Sequence, residues 1–351
     1  MSASNAESKP TRNLITGGMG FIGGHLAREL LDRGQQVTVV DDLSTGRFEN
    51  IEPLVGYPRF QFAVASITDE AVLDRLMSES DVVFHLAAAV GVKLVMDDAV
   101  RTIETNVAGT HIVLRTALRY GTKVLLASTS EVYGKGARLP FSEDDDVVLG
   151  PTCHHRWAYA ASKMVDEFLA LAYFCQKGLP VVVFRLFNTV GPGQTGHYGM
   201  VVPRLVQQAL RGEPLTVYGD GRQSRCFLHV FDAVRAIVGL ADCPDAIGQV
   251  FNVGSTEEVS VLELARRVLL ATEPDAVDGY HTATAAYDGL HPGIRFVPYS
   301  EAYGAGFEDM PRRIPDVRKI QRYTGWSAQL TLDDILHDVV ASFKSREMAA
   351  V

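Results

Sequence analysis

The chain has 351 residues, 47% of them apolar and 21% charged, and a formal net charge of -9. This length allows one large α/β domain or two smaller ones around a substantial core. The negative charge disfavours binding to a phosphate backbone, so nucleic acid is not an expected partner. No stretch approaches the roughly 18 apolar residues of a membrane span, and residues 1–11 lack the apolar run of a signal peptide. The composition predicts a cytoplasmic globular protein with a flexible tail at residues 1–11 and no membrane partner.

The cysteines and histidines do not form a metal-binding pattern. The four cysteines are far apart and make no CxxC pair, which predicts reduced thiols rather than a disulfide framework. His154 and His155 adjoin Cys153, but no third ligand has a suitable spacing. No metal site is predicted.

The N-terminal part of the chain follows a strand, turn, helix, strand order. An apolar strand at residues 14–16 runs into the sequence GGMGFIG at residues 17–23, and a helix follows. The next strand, residues 36–40, ends at Asp41 and Asp42. Glycine lets backbone N–H groups approach a pyrophosphate at the start of the helix, and the acid accepts from ribose hydroxyls. This order predicts a dinucleotide site.

The two carboxylates at this strand end bear on the choice of dinucleotide. They would repel the 2′-phosphate of NADP, which favours NAD. Arg47 lies nearby in the sequence and keeps NADP open as the alternative. NAD is therefore the predicted cofactor.

Strands and helices then continue to alternate, which predicts a parallel sheet with helices on both faces. In such a sheet the functional crevice lies at the carboxyl ends of the strands. Small residues 87–89 follow one strand and the polar residues 128–131 follow another. The predicted fold class is α/β, a Rossmann-type doubly wound parallel sheet (residues 12–190, NAD-binding) with a smaller C-terminal α/β substrate lobe (residues 191–345) that partly shares the sheet. The predicted strands are residues 60–64, 81–86, 123–127 and 181–187, the predicted helices are 69–77, 106–119 and 158–175, and residues 275–298 are expected to be an irregular insertion.

Tyr159 and Lys163 are four residues apart, so a helix places them on one face. An ammonium group near a phenol favours the phenolate and lowers the pKa of the tyrosine. Tyr159 is then predicted to act as a general base on an alcohol or sugar hydroxyl. An ordinary pair on an amphipathic helix is the structural alternative.

Together with the glycine turn and the hydroxyl cluster, these residues make the chain resemble the extended short-chain dehydrogenases/reductases that act as NAD-dependent nucleotide-sugar epimerases, dehydratases and decarboxylases. The resemblance runs from Leu14 to about Trp326. It implies a UDP-sugar substrate, a homodimer, and a hydrogen bond from Thr129 to the sugar 4-hydroxyl. The implied cofactor-binding residues are Gly17, Gly20, Phe21, Ile22, Gly23, Asp41, Asp42, Ser66, Ile67, Leu86, Ala87, Ala88, Lys93, Asn106, Tyr159 and Lys163. The implied substrate-binding residues are Ser130, Arg156, Asn188, Arg204, Tyr218, Arg225 and Arg313.

Single residues favour one member of this group. The sequence Thr-Ser-Glu at residues 129–131 is similar to UDP-glucuronate decarboxylases, whereas 4,6-dehydratases have Thr-Asp-Glu and use that Asp as an acid. The stretches 156–159 and 303–309 are also similar to a bacterial decarboxylase domain, and the second leads to Arg313. On that match Arg313 lies near the substrate carboxylate and Glu131 acts at C5. The predicted catalytic residues are Thr129, Glu131, Tyr159, Lys163 and Arg313.

Other features keep alternatives open. Tyr-Ala-Ala-Ser-Lys at residues 159–163 differs from the Tyr-Asp-Glu-Gly-Lys usual in UDP-xylose synthases, and residues 90–96 look more like those of an epimerase. A UDP-sugar 4-epimerase is therefore the second hypothesis, ahead of a dehydratase and of a non-enzymatic NAD-binding regulator. Arg225 has a surface ion pair as its structural alternative, and Arg313 has a structural salt bridge.

Overall fold

The protein is described by a computed structural model that covers residues 9–196, 199–272, 293–303 and 308–349, without the side chains of residues 92–94 and 347–349. The predicted tail therefore lies outside the described residues up to residue 8, and so does the predicted insertion from 275 to 292.

A seven-stranded sheet, parallel throughout, forms the centre of the molecule. The sequence of its strands explains their position, since β6 is a nearly continuous apolar run and is buried along most of its length. The strands, in their order across the sheet, are β11 (Val250–Val253), β6 (Val181–Leu186), β5 (Lys123–Thr129), β4 (Val82–His85), β1 (Arg12–Thr16), β2 (Gln36–Asp41) and β3 (Phe60–Val64). The predicted α/β doubly wound parallel fold is confirmed.

Helices cover both faces of this sheet. The two longest of the N-terminal helices end where glycine adopts a left-handed backbone, at Gly121 (φ 68°) and Gly178 (φ 72°). The helices are α1 (Phe21–Asp32), α2 (Glu70–Ser78), α3 (Val92–Asp97), α4 (Ala99–Tyr120), α5 (Ala158–Lys177), α6 (Val201–Leu210), α7 (Val230–Asp242), α8 (Val261–Thr272), α9 (Tyr299–Tyr303), α10 (Arg318–Thr324) and α11 (Leu332–Ala349).

The hydrophobic core has three main parts. One face of the sheet packs against α1, α7 and α10, and the other packs against α2, α4 and α5. A third cluster joins α6, α8 and α11 to a pair of parallel strands, β8 (Leu215–Tyr218) and β13 (Ile294–Val297). The remaining strands are β7 (Thr189–Val190) and β10 (Leu228–His229), which pair with each other, and β12 (Glu258–Ser260), β9 (Ser224–Cys226) and β14 (Arg312–Arg313).

The structure alters some predicted boundaries. β5 continues to Thr129 because its pairing with β6 runs to that residue, and α4 begins at Ala99, where the Asp98 side chain accepts from the N–H of Arg101. The end of the predicted insertion is not irregular, since Ile294–Val297 is strand β13. The division of the chain near residue 190 stays a prediction. Of the helices described, none combines the length and the apolar character needed to cross a membrane.

Candidate active site

A cavity of about 680 Å³ lies at the carboxyl ends of the central strands and extends to α6, β8 and α9. This is the place where an open α/β sheet binds its ligands. Most of the residues predicted from the sequence meet here. Those that line the cavity are Gly17, Gly20, Phe21, Ile22, Gly23, Asp41, Asp42, Ile67, Leu86, Ala87, Ala88, Thr129, Ser130, Glu131, Arg156, Tyr159, Lys163, Asn188, Arg204, Tyr218, Arg225 and Arg313.

The glycine turn between β1 and α1 is folded too tightly to accept side chains at Gly17 and Gly23. A Cβ atom on Gly17 would lie 2.7 Å from the Ala87 nitrogen, and one on Gly23 would lie 2.4 Å from the Gly17 oxygen. Gly17 also has a left-handed φ of 70°, which glycine adopts without steric cost. Gly20 caps α1 without a side-chain hydrogen bond, so the first N–H groups of the helix face the cavity without a capping side chain. The turn thus fits the pyrophosphate of a dinucleotide.

Asp41 ends β2 beside this turn. Its carboxylate accepts from the N–H groups of Met19 at 3.1 Å and Leu43 at 2.9 Å. Burial raises the pKa of Asp41, and the two N–H groups oppose that rise. The carboxylate is thereby fixed at the edge of the cavity, where it can accept from ribose hydroxyls.

Two predicted cofactor residues, Ser66 and Asn106, stand apart from the cavity wall. Ser66 is not among the lining residues, and its hydroxyl pairs with that of Thr68. Asn106 is buried behind the wall, where it accepts from the Ala89 N–H at 2.8 Å and donates to Ser162 at 3.0 Å. It therefore ties α4 to α5 rather than facing the cavity. Lys93 lies on α3, and its side chain lies outside the described residues.

Tyr159 and Lys163 share one face of α5, and Thr129 lies opposite them at the end of β5. Burial and the charge of Glu131 raise the pKa of Tyr159, while a hydrogen bond with Thr129 opposes the rise. The sequence predicts the reverse, a pKa lowered by Lys163. The main physical reason for the difference is the burial of the phenol. The Asp166 carboxylate, whose Oδ2 is 2.8 Å from Nζ of Lys163, adds to the rise.

Glu131 is held between two guanidinium groups. Its Oε1 is 2.6 Å from Nη1 of Arg313, and its Oε2 is 2.6 Å from Nη2 of Arg156. Burial opposes ionisation, yet Arg313 and Arg156 outweigh it and lower the pKa of Glu131 to about 2. Glu131 is therefore a carboxylate at neutral pH. Arg313 is itself mostly buried, with 12% of its side chain exposed. Burial lowers its pKa to about 10, so it keeps its charge at neutral pH.

A second group of side chains lines the far end of the cavity. Arg225 is buried, and its Nη2 is 2.7 Å from Asp309, which also accepts from the Tyr299 hydroxyl at 3.0 Å. Arg225 thus faces a cavity and not a surface. The Arg204 guanidinium lies 4.2 Å above the ring of Tyr218.

Asn188 lies between the two ends of the cavity, on a backbone with positive φ (31°). Its Nδ2 donates to the Cys226 carbonyl at 2.9 Å, which joins the end of β6 to β9. This bond fixes the side chain at the boundary between the sheet and the C-terminal elements.

The charges of the substrate end favour an anionic ligand. Among the described residues that line this end, four guanidinium groups (Arg156, Arg204, Arg225 and Arg313) face two carboxylates (Glu131 and Asp309). A chain with a formal net charge of -9 thus concentrates positive charge in one place. Low-dielectric walls around such a cluster strengthen its attraction for a phosphate or carboxylate.

Some lining residues are not found by reasoning from the sequence. They include Tyr299, Tyr303 and Asp309, which come from segments that carry no local binding pattern. Tyr303 and Asp309 lie in the stretch 303–309 that resembles a decarboxylase domain, but the role of Asp309 as the partner of Arg225 follows from the fold.

The chain was compared with known proteins. The model of the NAD dependent epimerase/dehydratase family matches residues 13–254. A UDP-N-acetyl-alpha-D-glucosaminuronate decarboxylase of Bacillus cytotoxicus is 42% identical, over 96% of this chain and 98% of its own length. UDP-glucuronic acid decarboxylase 1 of Danio rerio is 36% identical, over 98% of this chain and 75% of its own length.

A solved structure is also similar throughout. A variant of UDP-glucuronic acid 4-epimerase from Bacillus cereus, in complex with NAD and a UDP-sugar, superposes with a TM-score of 0.82 at 27% identity. The match covers 96% of this chain and 100% of that one. The chain belongs to the NAD dependent epimerase/dehydratase family.

Proposed function

We propose that the protein is a UDP-hexuronate decarboxylase that converts UDP-glucuronate to a UDP-pentose, UDP-xylose. The observation that carries this proposal is the position of Arg313 at the catalytic end of the cavity, beside Glu131 and Ser130. Its buried Nε has no hydrogen-bond partner among the described residues, so one edge of the guanidinium is available to a carboxylate. The curated decarboxylases that match nearly the whole chain support the same reaction.

NAD, when bound, supplies a reversible hydride acceptor for the oxidation and re-reduction of the sugar at C4. The residues that would hold it are the glycine turn, Asp41 and the strand-end residues 86–88. We assign residues 12–190 to this cofactor half and residues 191–345 to the substrate lobe, with β11 as the strand that the lobe contributes to the central sheet.

The chain's own groups handle the protons and the charge of the reaction. Tyr159 accepts the proton of the 4-hydroxyl, and Thr129 orients that hydroxyl. Once C4 is a ketone, the bond from C5 to the carboxylate breaks, and its electron pair moves toward the ketone oxygen. Hydrogen bonds from Thr129 and Tyr159 stabilise the resulting enolate. A proton then adds at C5, so the net reaction releases CO2 and consumes one proton.

We propose for Glu131 a role other than the predicted action at C5. A carboxylate with a pKa of about 2 is a poor proton donor at neutral pH. Its two short ion pairs instead fix Arg156 and Arg313 in the cavity wall. We therefore propose that Glu131 orients Arg313 toward the substrate carboxylate.

One other substrate and one other reaction must be distinguished from the decarboxylation of UDP-glucuronate. The relative of 42% identity is named for the 2-acetamido analogue of UDP-glucuronate, so that sugar is the second candidate substrate. The similarity to a 4-epimerase structure supports 4-epimerisation as the second candidate reaction, because it begins with the same oxidation.

The test is to incubate the purified protein with UDP-glucuronate, and separately with its 2-acetamido analogue, and to measure CO2 and the product sugar by NMR. We expect one CO2 for each UDP-pentose formed. A UDP-hexuronate of inverted C4 configuration without CO2 would replace decarboxylation by epimerisation. A kcat/KM far higher for the acetamido sugar would keep the reaction and change the substrate.

We also propose that the protein is a cytoplasmic homodimer. Helices α4 and α5 pack against each other and expose apolar side chains, with Val100 68%, Ile103 44%, Val165 43% and Phe168 67% exposed. Exposed apolar side chains clustered in this way favour binding to another protein surface. Phe168→Glu should give a monomer in light scattering, whereas Phe62→Glu, at another exposed phenylalanine (43%) on β3, should leave the mass unchanged. A dimer in both variants would place the interface elsewhere.

A further inference from the structure

A buried ion pair lies behind the catalytic end of the cavity. Asp166 is 0% exposed and Lys163 is 2% exposed, and they lie one turn apart on α5. The distance from Nζ to Oδ2 is 2.8 Å. Because an uncompensated charge is costly to bury, Asp166 supplies the counter-ion that the Lys163 ammonium needs at this depth.

A chain of hydrogen bonds from the sheet holds this carboxylate in place. Burial raises the pKa of Asp166, while Lys163 and the Thr110 hydroxyl on α4 oppose that rise. The Thr110 oxygen is 3.0 Å from Nε2 of His85. Nδ1 of His85 is 2.7 Å from the hydroxyl of Thr16, which also accepts from the Ala87 N–H at 3.3 Å. We assign the protons in one direction, from Thr16 to Nδ1, from Nε2 to Thr110, and from Thr110 to the carboxylate.

His85 adds no charge to this chain. It is almost fully buried, and burial together with the charge of Lys163 lowers the pKa of His85 to about 3. A neutral imidazole agrees with the assigned proton positions. The chain thus connects the start of the glycine turn to Asp166 through neutral groups and ends in one anion and one cation.

The other buried carboxylates nearby have their own partners. Glu167 pairs with Arg185 on β6 at 2.7 Å. Glu131 pairs with the two arginines of the cavity wall. Asp166 therefore provides the negative charge that is matched to Lys163.

Several titratable and charged groups face the pair of Tyr159 and Lys163 from the surrounding elements. They are Asp166 and Glu167 on α5, His85 on β4, Arg185 on β6, Glu131 and Arg156 in the turns after β5 and before α5, and Arg313 on β14.

We propose that Asp166 is a positioning residue for the pair of Tyr159 and Lys163, and that its negative charge sets the pH range in which Tyr159 accepts the proton of the substrate. The ion pair holds the Lys163 ammonium in place. The Asp166 carboxylate also offsets part of the positive charge that would otherwise favour the Tyr159 phenolate. This role rests on the proposed function as far as the substrate is concerned, but the effect on Tyr159 does not depend on which sugar is bound.

The sign of the effect follows from the charges. An anion near a phenol disfavours the phenolate, so removing the anion lowers the proton affinity of Tyr159. Since a general base works in its deprotonated form, activity would then persist to lower pH. Neutralising Asp166 should shift the acid limb of the pH profile downward.

The first experiment compares Asp166→Asn with Glu167→Gln. We expect the acid limb of kcat/KM for UDP-glucuronate to move down by about one pH unit in Asp166→Asn, with kcat lowered because Lys163 is less firmly held. Glu167→Gln changes a buried carboxylate one residue away that pairs with Arg185, and its acid limb should stay in place. A folded Asp166→Asn protein with an equal loss of activity at every pH would show a purely structural role and overturn the proposal.

The second experiment needs no turnover, so it separates this proposal from the choice of substrate. The phenolate absorbance of Tyr159 is measured on the NAD-loaded protein as the difference from a Tyr159→Phe variant. The titration midpoint should be lower in the Asp166→Asn background. If Asp166→Asn does not fold, Asp166→Ser removes the same negative charge with a smaller side chain and should shift the midpoint in the same direction. A midpoint that stays unchanged in the folded variant would contradict the role of Asp166.

Discussion

The two ends of the cavity are built in different ways. The cofactor end comes from one continuous unit, in which β1, the glycine turn, α1 and β2 bring residues 17–23 and Asp41 together. The substrate end draws Glu131, Arg156, Arg225 and Arg313 from four distant segments of the chain. The backbone itself shapes the first end, whereas side-chain ion pairs shape the second. Substitutions should therefore act on the first through backbone clashes and on the second through unpaired charges.

The largest effect is expected where the two ends meet, at Tyr159. Tyr159→Phe removes the proton acceptor and should lower kcat by about 10²- to 10⁴-fold, while the glycine turn and NAD binding stay intact. The measurement is the rate of CO2 release together with NAD affinity by calorimetry. Tyr173→Phe, on the same helix but outside the cavity lining, serves as the control. Comparable rates in Tyr159→Phe and the control would remove Tyr159 from the mechanism.

A substitution at Arg313 tests whether the substrate end determines which reaction follows the oxidation at C4. Arg313→Ser should leave the reduction of bound NAD by UDP-glucuronate measurable at 340 nm, and should lower CO2 release by about a hundredfold or more. Arg312→Ser is the matched control, because Arg312 is adjacent, exposed and paired with Glu258 at 2.7 Å. Equal losses of oxidation and CO2 release in Arg313→Ser would show a general binding role.

The cofactor end should respond to a single methyl group. In Gly23→Ala the new Cβ would meet the Gly17 oxygen at 2.4 Å and the Gly18 Cα at 2.7 Å, both of them backbone atoms. Relieving such a clash costs about 1 to 3 kcal/mol, which corresponds to a rise of about five- to 150-fold in the Kd for NAD. Gly239→Ala on α7 has only ordinary contacts and should leave that Kd unchanged. An unchanged Kd in Gly23→Ala would argue against close approach of the dinucleotide.

Prediction from the sequence also succeeds to different extents at the two ends of the cavity. The strand order, the glycine turn, Asp41 and the spacing of Tyr159 and Lys163 are local patterns, and the fold they predict is confirmed. The pairing of Asp166 with Lys163 is not foreseen, because a helical spacing of three residues does not show which of two adjacent carboxylates, Asp166 or Glu167, faces inward. The raised pKa of Tyr159 is not foreseen either, because it follows mainly from burial and from the charge of Glu131, which only the fold brings near the phenol.

The arginines of the substrate end show the other limit of prediction. Their identity follows from resemblance, but their partners lie up to 182 residues away in the chain, as for Glu131 and Arg313. Only the folded chain shows that Glu131 contacts two guanidinium groups at once. For that reason the resemblance implies that Glu131 acts at C5, while its two ion pairs support the orienting role proposed above.

The smallest effect is expected at Asp309, which supports Arg225 from the side. Asp309→Asn keeps the shape but removes the charge that Arg225 contacts at 2.7 Å. Because the Asp309 side chain is partly exposed, at 20%, the loss should be about 1 kcal/mol. This corresponds to a rise of about fivefold in KM with kcat unchanged, since the binding of the nucleotide diphosphate would be weakened and the position of the reacting carbon would not change.

The control is Glu258→Gln, which removes the partner of Arg312 outside the cavity and should change neither constant. A fall in kcat without a change in KM in Asp309→Asn would instead place Asp309 and Arg225 at the reacting end of the substrate.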